Sequence, residues 1–334
     1  MSEKKQTKLM PSTINRHIGN VYPALAMLAG MQLDVFSPLA NGPLLAPEIA
    51  QALGVRADKL EPLLYALVTA GLLEVEAGKF SNTEEAHAFL AKSSKRYIGG
   101  AHSAYSDLWS STMHTAESIR TGIPRAKHDF SAMSKEELRG FIRGLDAGAS
   151  ATARRLDKTF DMQRFSTLLD AGGGSGGVAV ALCELCPQLH ATVGELANVA
   201  EITRECVTES SVAARVSVVD VDLVEETPGG QYDAVVLRSV LQVLSATEAA
   251  KVVAHVAGCL KPGGELFVVG RMLDDSRLSP LDAVAVNVMF LNVYDHGRAY
   301  TESEYRAWLV DAGFAAPART ELAGGYSIMH ATKA

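Results

Sequence analysis

A chain of 334 residues exceeds one ordinary domain of about 100–200 residues, so two domains, or one large domain with an appendage, are expected. A composition of 48% hydrophobic and 21% charged residues, with 28 Gly and 12 Pro, is that of a globular protein and excludes a disordered or fibrous chain. The net charge of −7 supplies no basic stripe for nucleic acid or anionic lipid, so neither is expected as a partner.

At the N-terminus, MSEKKQTKLMPS is charged but has no apolar stretch behind it, which predicts a cytoplasmic protein without a signal peptide. Residues 20–90 then read as short helices followed by a small hairpin. Tyr22, Leu25, Ala26, Leu28, Ala29, Leu33 and Phe36 recur at helical spacing. A second helix opens near Pro47 and ends at Gly54; a third runs over 57–70 and closes at Gly71. Residues 72–75 and 78–80 give two strands around a Gly turn, and three helices with such a wing predict a winged helix. That shape often reads DNA, but the third helix carries Asp58, Lys59, Glu61 and Tyr65 with little positive charge. Self-association is the expected use.

Residues 96–160 read as two longer helices, 97–121 and 135–160, separated by a Gly-Ile-Pro break at Gly122. His102, Tyr105 and Trp109 share one helix face at i, i+3 and i+7, and Met113 continues the stripe, which suits either an acceptor pocket or core. From Phe165 onward strands alternate with helices: strands over 166–170, 191–195, 216–219, 232–237 and 265–269, helices over 178–185, 197–209 and 246–260. Short loops between them predict a parallel, doubly wound α/β sheet with helices on both faces.

No stretch reaches the roughly 18–20 apolar residues of a membrane span; the nearest, 283–294, contains Asn287 and Asn292. The four cysteines make no disulfide framework, and the Cys183/Cys186 pair lacks the second pair a zinc site needs, so both read as core.

The first strand runs from residue 166 into Asp170 and then AGGGSGG, which opens a helix. Glycines there let the chain turn sharply and a ligand lie against the backbone, in the crevice where such sheets bind ligands. Gly172, Gly174 and Gly177 also satisfy a dinucleotide fingerprint, with Glu195 placed for ribose hydroxyls, so NAD is a competing ligand. The acids Asp170 and Asp222 favour a ligand bearing an ammonium group over a pyrophosphate.

The phrases LLDAGGGSGG, ATVGEL, VDVDLVEE, YDAVVLRSVLQVLS, CLKPGGELFVV and AYTESEYRAWLVDAGF together resemble the S-adenosylmethionine-dependent methyltransferases of the caffeate and hydroxyindole O-methyltransferase type. The resemblance covers residues 20–330. It implies a winged-helix, mostly helical homodimerisation domain (1–95), a helical connector lining the acceptor pocket (96–160) and a Rossmann-like domain (161–334). It further implies S-adenosylmethionine as cofactor and a small-molecule acceptor. Gly172, Gly174, Gly176 and Glu195 would hold the cofactor, with Asp170, Asp222, Leu223 and Arg238 as further contacts.

Members that methylate hydroxyl groups carry a His as general base and two acids; here those positions read Gln242, Gly270 and Ala299. Glutamine takes no proton near neutral pH, so that mechanism does not carry over. Two expectations remain open. One is methyl transfer by proximity to a nucleophile that needs no base, such as a thioether, an amine or an acidic oxygen or carbon acid. The other is a fold turned to cyclisation or hydroxylation with the cofactor retained. Catalytic candidates are Gln242, His102, Tyr105 and Arg271. Acceptor-binding candidates are Trp109, Met113, Phe290, Asn292, Tyr294 and His296.

Overall fold

The computed structural model describes residues 9–144 and 146–334; residues 1–8 of the expected N-terminal domain lie outside the described residues. The chain divides into two compact units, Met1–Ser106 and Asp107–Ala334. The division falls inside the stretch expected as a connector.

The first unit holds α1 (Ser12–Leu33), β1 (Leu44–Leu45), α2 (Ala46–Leu53), α3 (Ala57–Thr69), β2 (Leu73–Glu76), β3 (Lys79–Asn82) and α4 (Glu84–Leu90). β3 pairs antiparallel with both β1 and β2, giving the order β1-β3-β2. Helix ends follow local chemistry: Gly54 caps α2 in the left-handed region, and Ala77 and Gly78, both at positive φ, turn the β2–β3 wing. Phe36, Ile49, Leu64, Leu67, Leu73 and Phe80 are buried in one cluster. α1 begins ten residues before the predicted Tyr22, and Ile14, Ile18 and Val21 on that extension continue with Tyr22 and Leu25 as an exposed apolar stripe.

α5 (His102–Thr112) carries the boundary between the units. The second unit continues with α6 (Thr115–Thr121), α7 (Lys135–Gly144), α8 (Asp146–Phe160), β4 (Thr167–Ala171), α9 (Gly177–Leu185), β5 (His190–Glu195), α10 (Ala197–Thr208), β6 (Val216–Asp220) and β7 (Tyr232–Arg238). Then follow α11 (Ala246–Gly258), β8 (Leu260–Leu273), α12 (Leu281–Val293), β9 (Tyr300–Thr301), α13 (Glu302–Asp311), β10 (Phe314–Glu321) and β11 (Tyr326–Lys333). The predicted single helix 97–121 is two helices, whereas the described residues of the predicted helix 135–160 are helical throughout.

The main sheet runs β10-β11-β8-β7-β4-β5-β6, with β9 beside β8. From β6 to β8 the strands are parallel, as the alternation predicted. β11 is antiparallel to β8 and β10 to β11, so the sheet is mixed rather than wholly parallel. Side chains alternate across it. Val235 and Leu237 pack with Val252, Val253 and Val256 of α11, while Ala234 and Val236 pack with Leu156 of α8 and Leu182 of α9. Cys183 and Cys186 are buried in this second layer. No described helix is long and apolar enough to cross a membrane.

Candidate active site

β4 and β7 are neighbours whose connections leave toward opposite sides of the sheet, so a crevice opens at their carboxyl ends. The loop after β4 fills its base. Gly172, Gly174 and Gly176 have φ of +67°, +59° and +78°, a left-handed backbone that residues with a Cβ adopt at a cost. A Cβ at Gly172 would lie 2.5 Å from Val240 Cγ2, and one at Gly173 would lie 2.7 Å from the Asp170 carboxylate. Bare backbone is therefore required where the chain turns into α9.

Glu195, at the end of β5, closes this loop: the Gly174 N–H donates to its Oε1 (3.0 Å) and the Leu196 N–H to its Oε2 (2.9 Å). Thr203, fully buried on α10, donates to the Gly174 carbonyl at 2.6 Å. Burial raises the pKa of Glu195 above the usual carboxylate range, against those two amide bonds.

Asp170 lies beneath the loop and is fully buried. Its Oδ2 accepts from the Ala179 N–H (3.1 Å) in the first turn of α9, and its Oδ1 has no partner among the described residues. Burial pushes its pKa up to about 7, opposed by the Ala179 amide and the nearby Arg238 guanidinium. Asp170 thus supports the loop from below rather than facing a ligand. Arg238 donates through Nε to Thr152 Oγ1 (3.1 Å) on α8, in space left open by Gly148. Asp222 is exposed and caps its own turn by accepting from the Val224 N–H (2.9 Å); Leu223 beside it is buried, and its carbonyl meets His255 Nδ1 at 2.9 Å.

Gln242 sits in a short helical turn after β7 and is 6% exposed. Its Oε1 accepts from the Arg271 backbone N–H at 2.9 Å; because that N–H can only donate, the amide's orientation is fixed, with the NH2 group turned away. A Cβ at Gly270 would lie 2.9 Å from the same oxygen. The bare position at 270 is the space that the Gln242 amide occupies, so these two departures from the family's pattern are sterically linked. The Arg271 side chain donates to the Gly324 carbonyl (2.5 Å) and its guanidinium lies 4.6 Å above the Tyr326 ring. These contacts tie it to β11.

The acceptor-side candidates do not form one group. Asn292 is fully buried: Ser118 donates to its Oδ1 (2.8 Å), and its Nδ2 donates to Thr115 Oγ1 (3.0 Å) and the Val288 carbonyl (3.2 Å). Those bonds make it a brace between α6 and α12 instead of an acceptor contact. Phe290, 2% exposed, packs with Leu273, Ala283 and Ala299 as core. Met113 falls one residue past α5 and is 84% exposed, so it does not continue a buried stripe. Trp109 is partly buried, Tyr294 partly buried and His296 exposed. His102 and Tyr105 belong to the first unit, Tyr105 packing against its core.

One titratable pair escaped the sequence reading. His128, between α6 and α7, has a side chain 6% exposed whose Nε2 lies 2.8 Å from Asp107 Oδ2 on α5. No motif flagged it, because a lone His and an Asp twenty-one residues apart carry no recognisable spacing.

Residues 117–315, more than half of the chain, match the family model of an O-methyltransferase domain, and residues 16–92 match that of an O-methyltransferase dimerisation domain. The chain belongs to the O-methyltransferase family. It is therefore a methyltransferase, and its cofactor is S-adenosylmethionine. This methyltransferase is 28% identical over 310 residues to a 3-hydroxy-5-methyl-1-naphthoate 3-O-methyltransferase of Streptomyces sahachiroi, covering 91% of this chain and 89% of that one. It is also 28% identical over 309 residues to the N,N-dimethyltransferase OxyT of Streptomyces rimosus, covering 88% and 87%. Its fold is that of human N-acetylserotonin methyltransferase, solved with S-adenosylmethionine: TM-score 0.82 at 22% identity, covering 100% and 99%.

Proposed function

We propose that the enzyme transfers a methyl group to a small-molecule acceptor by proximity and orientation, with no general base at position 242. The glycine loop, with Glu195 closed on its Gly174 amide, carries this reading. The side-chain-free turn at Gly172, Gly174 and Gly176 would let the methionine moiety lie against the loop, and the Glu195 oxygens keep lone pairs for ribose hydroxyls. Asp222 and Leu223 would flank the adenine. Bound S-adenosylmethionine supplies an electrophilic methyl; the protein's part is to hold acceptor and donor in line and exclude water.

Gln242 acts on the acceptor side as a fixed, neutral group. Its carbonyl belongs to Arg271, so only its NH2 is left to donate, and it cannot titrate. Tyr294 and His296 are the acceptor contacts retained from the sequence, together with Trp109. The first unit joins two chains through the apolar stripe on α1, which is exposed among the described residues.

A screen of phenols, amines, thiols and thioethers with labelled S-adenosylmethionine, scored by mass spectrometry, tests the reading. Hydroxylated naphthoates and primary or secondary amines come first, because the two Streptomyces relatives are named for O-methylation and N,N-dimethylation. Methylated product from at least one class is expected. A substrate oxidised or cyclised while S-adenosylmethionine stays unconsumed would replace it with the repurposed-fold reading.

A further inference from the structure

His128 is an imidazole buried with half of its polar capacity unused. Its Nε2 meets Asp107 Oδ2 at 2.8 Å, and its Nδ1 is shut off from solvent with no hydrogen-bond partner among the described residues. A carboxylate only accepts, so Nε2 carries a hydrogen, and in the neutral ring Nδ1 is then a bare lone pair. Buried polar atoms are nearly always paired, and a permanent exception in a binding region calls for a ligand.

The surroundings place this lone pair on the reaction side of the sheet. The Ala126 and His128 N–H groups donate to the Asn292 and Val293 carbonyls (2.9 and 3.0 Å), tying the segment to the end of α12. Two residues later, the Phe130 carbonyl accepts from Asn198 Nδ2 (2.9 Å) at the start of α10, just beyond Glu195. The segment therefore runs from the carboxyl end of β5 towards α12. The His128 ring packs edge-on against Phe141 (5.1 Å) and Tyr294 (5.9 Å). Tyr294 and the Gln242 backbone both border Gly297: a Cβ there would lie 2.9 Å from Tyr294 Cβ and 3.0 Å from the Gln242 backbone carbonyl oxygen. Thus Tyr294 borders both the His128 ring and the glycine that packs on the backbone of Gln242, the position at which the family's base has been lost.

We propose that His128, oriented by Asp107, accepts the hydrogen of the acceptor's nucleophile, so that the enzyme acts on a protic acceptor, a phenol O–H or amine N–H, rather than on a thioether. This rests on the methyl-transfer reading above. As the nucleophile's electron pair takes the methyl, its proton passes to Nδ1, and the resulting imidazolium is neutralised by the Asp107 carboxylate. Tyr294, on the loop after α12, is the neighbour that must turn aside to admit an acceptor. The other charged groups nearby are engaged: Lys127 with Asp295, and Asp129 with Ser131. Burial pushes the Tyr294 hydroxyl up to about 12, so it stays protonated across the working range.

The test is 15N NMR of histidine-labelled full-length protein saturated with S-adenosylhomocysteine, titrated with 1-naphthol and 2-naphthylamine as probes. Expected are a protonated Nε2, an unprotonated Nδ1, and an Nδ1 resonance that moves on adding either probe. A protonated Nδ1, or no response to both probes, overturns the proposal. Failure of S-adenosylhomocysteine to bind would instead overturn the methyl-transfer reading. Turnover adds a second arm: His128→Gln should slow methylation of 1-naphthol about 100-fold or more but leave 4-nitrophenol, already ionised near neutral pH, within roughly fivefold. Equal losses on both phenols would show a merely structural histidine and sink the assignment.

Discussion

At position 242 an amide replaces a titrating group, and its carbonyl serves a buried backbone N–H. Gln242→Ala therefore has two expected effects. Acceptor positioning weakens by about three- to tenfold in kcat/KM, the worth of one neutral hydrogen bond, with no new limb in the pH profile. Stability falls by about 1–3 kcal/mol, because the Arg271 N–H loses its acceptor. A pH–rate series and urea denaturation check each part; a several-thousandfold loss in the chemical step would contradict the positioning role.

Asp170 supplies the pH-dependent counterpart. Its folded pKa of about 7 lies above the ordinary carboxylate value, so the folded state holds the proton more tightly than the unfolded chain. The stability this gives is complete below about pH 4 and is lost as pH rises towards 7, at about 1.4 kcal/mol per pH unit. Asp170→Asn, which keeps an acceptor for the Ala179 N–H, should remove that slope and leave the ligand-free protein more stable than wild type at pH 8. Identical pH–stability curves for the two proteins would refute the buried, protonated state. Both effects were out of reach of the sequence. The string DAGGG places an acid beside glycines, but whether it faces the ligand or lies beneath the loop depends on the packing of α9. Gln242 was legible as a departure from a pattern; its bond to Arg271 was not, because strand register sets it.

Among the elements, the glycine loop was the most legible, since left-handed backbone at Gly172, Gly174 and Gly176 leaves few residue types possible. Gly174→Ala is expected to cost about 1–2 kcal/mol of stability through its φ of +59°. It should also weaken S-adenosylhomocysteine binding by misplacing the amide that meets Glu195, which calorimetry on the folded variant would show. Affinity equal to wild type would mean that the loop does not hold the ligand. The central helices were read less well. Periodicity ran on through residues 113–114, where the chain breaks between α5 and α6, because a helical pattern does not mark a turn that lacks Gly or Pro. Asn292 misled for a related reason: an amide in an apolar helix signals a polar partner, and here that partner is Ser118 and Thr115 rather than a ligand. The terminal β10–β11 pair, with its ordinary mixture of polar and apolar residues, offered no strand signal as clear as the parallel core.

For the whole molecule, Ile14, Ile18, Val21, Tyr22 and Leu25 form a contiguous exposed apolar face on one helix, the kind of surface that marks an association site. Residues 16–92 match a dimerisation domain, so light scattering should give twice the chain mass, and Ile18→Glu should shift it towards monomer without unfolding the second unit. A wild-type monomer at micromolar concentration would contradict the stripe's assignment. The parallel half of the sheet, from β6 to β8, was legible because short loops between alternating strands and helices admit little else. The crevice above β4 is proposed to hold S-adenosylmethionine through the glycine loop and Glu195. Isothermal titration of the full-length protein with S-adenosylhomocysteine and with NAD tests it most directly. The account predicts saturable binding of S-adenosylhomocysteine at one site per chain, weakened in Gly174→Ala, and no heat with NAD; tight NAD binding with none for S-adenosylhomocysteine would contradict it.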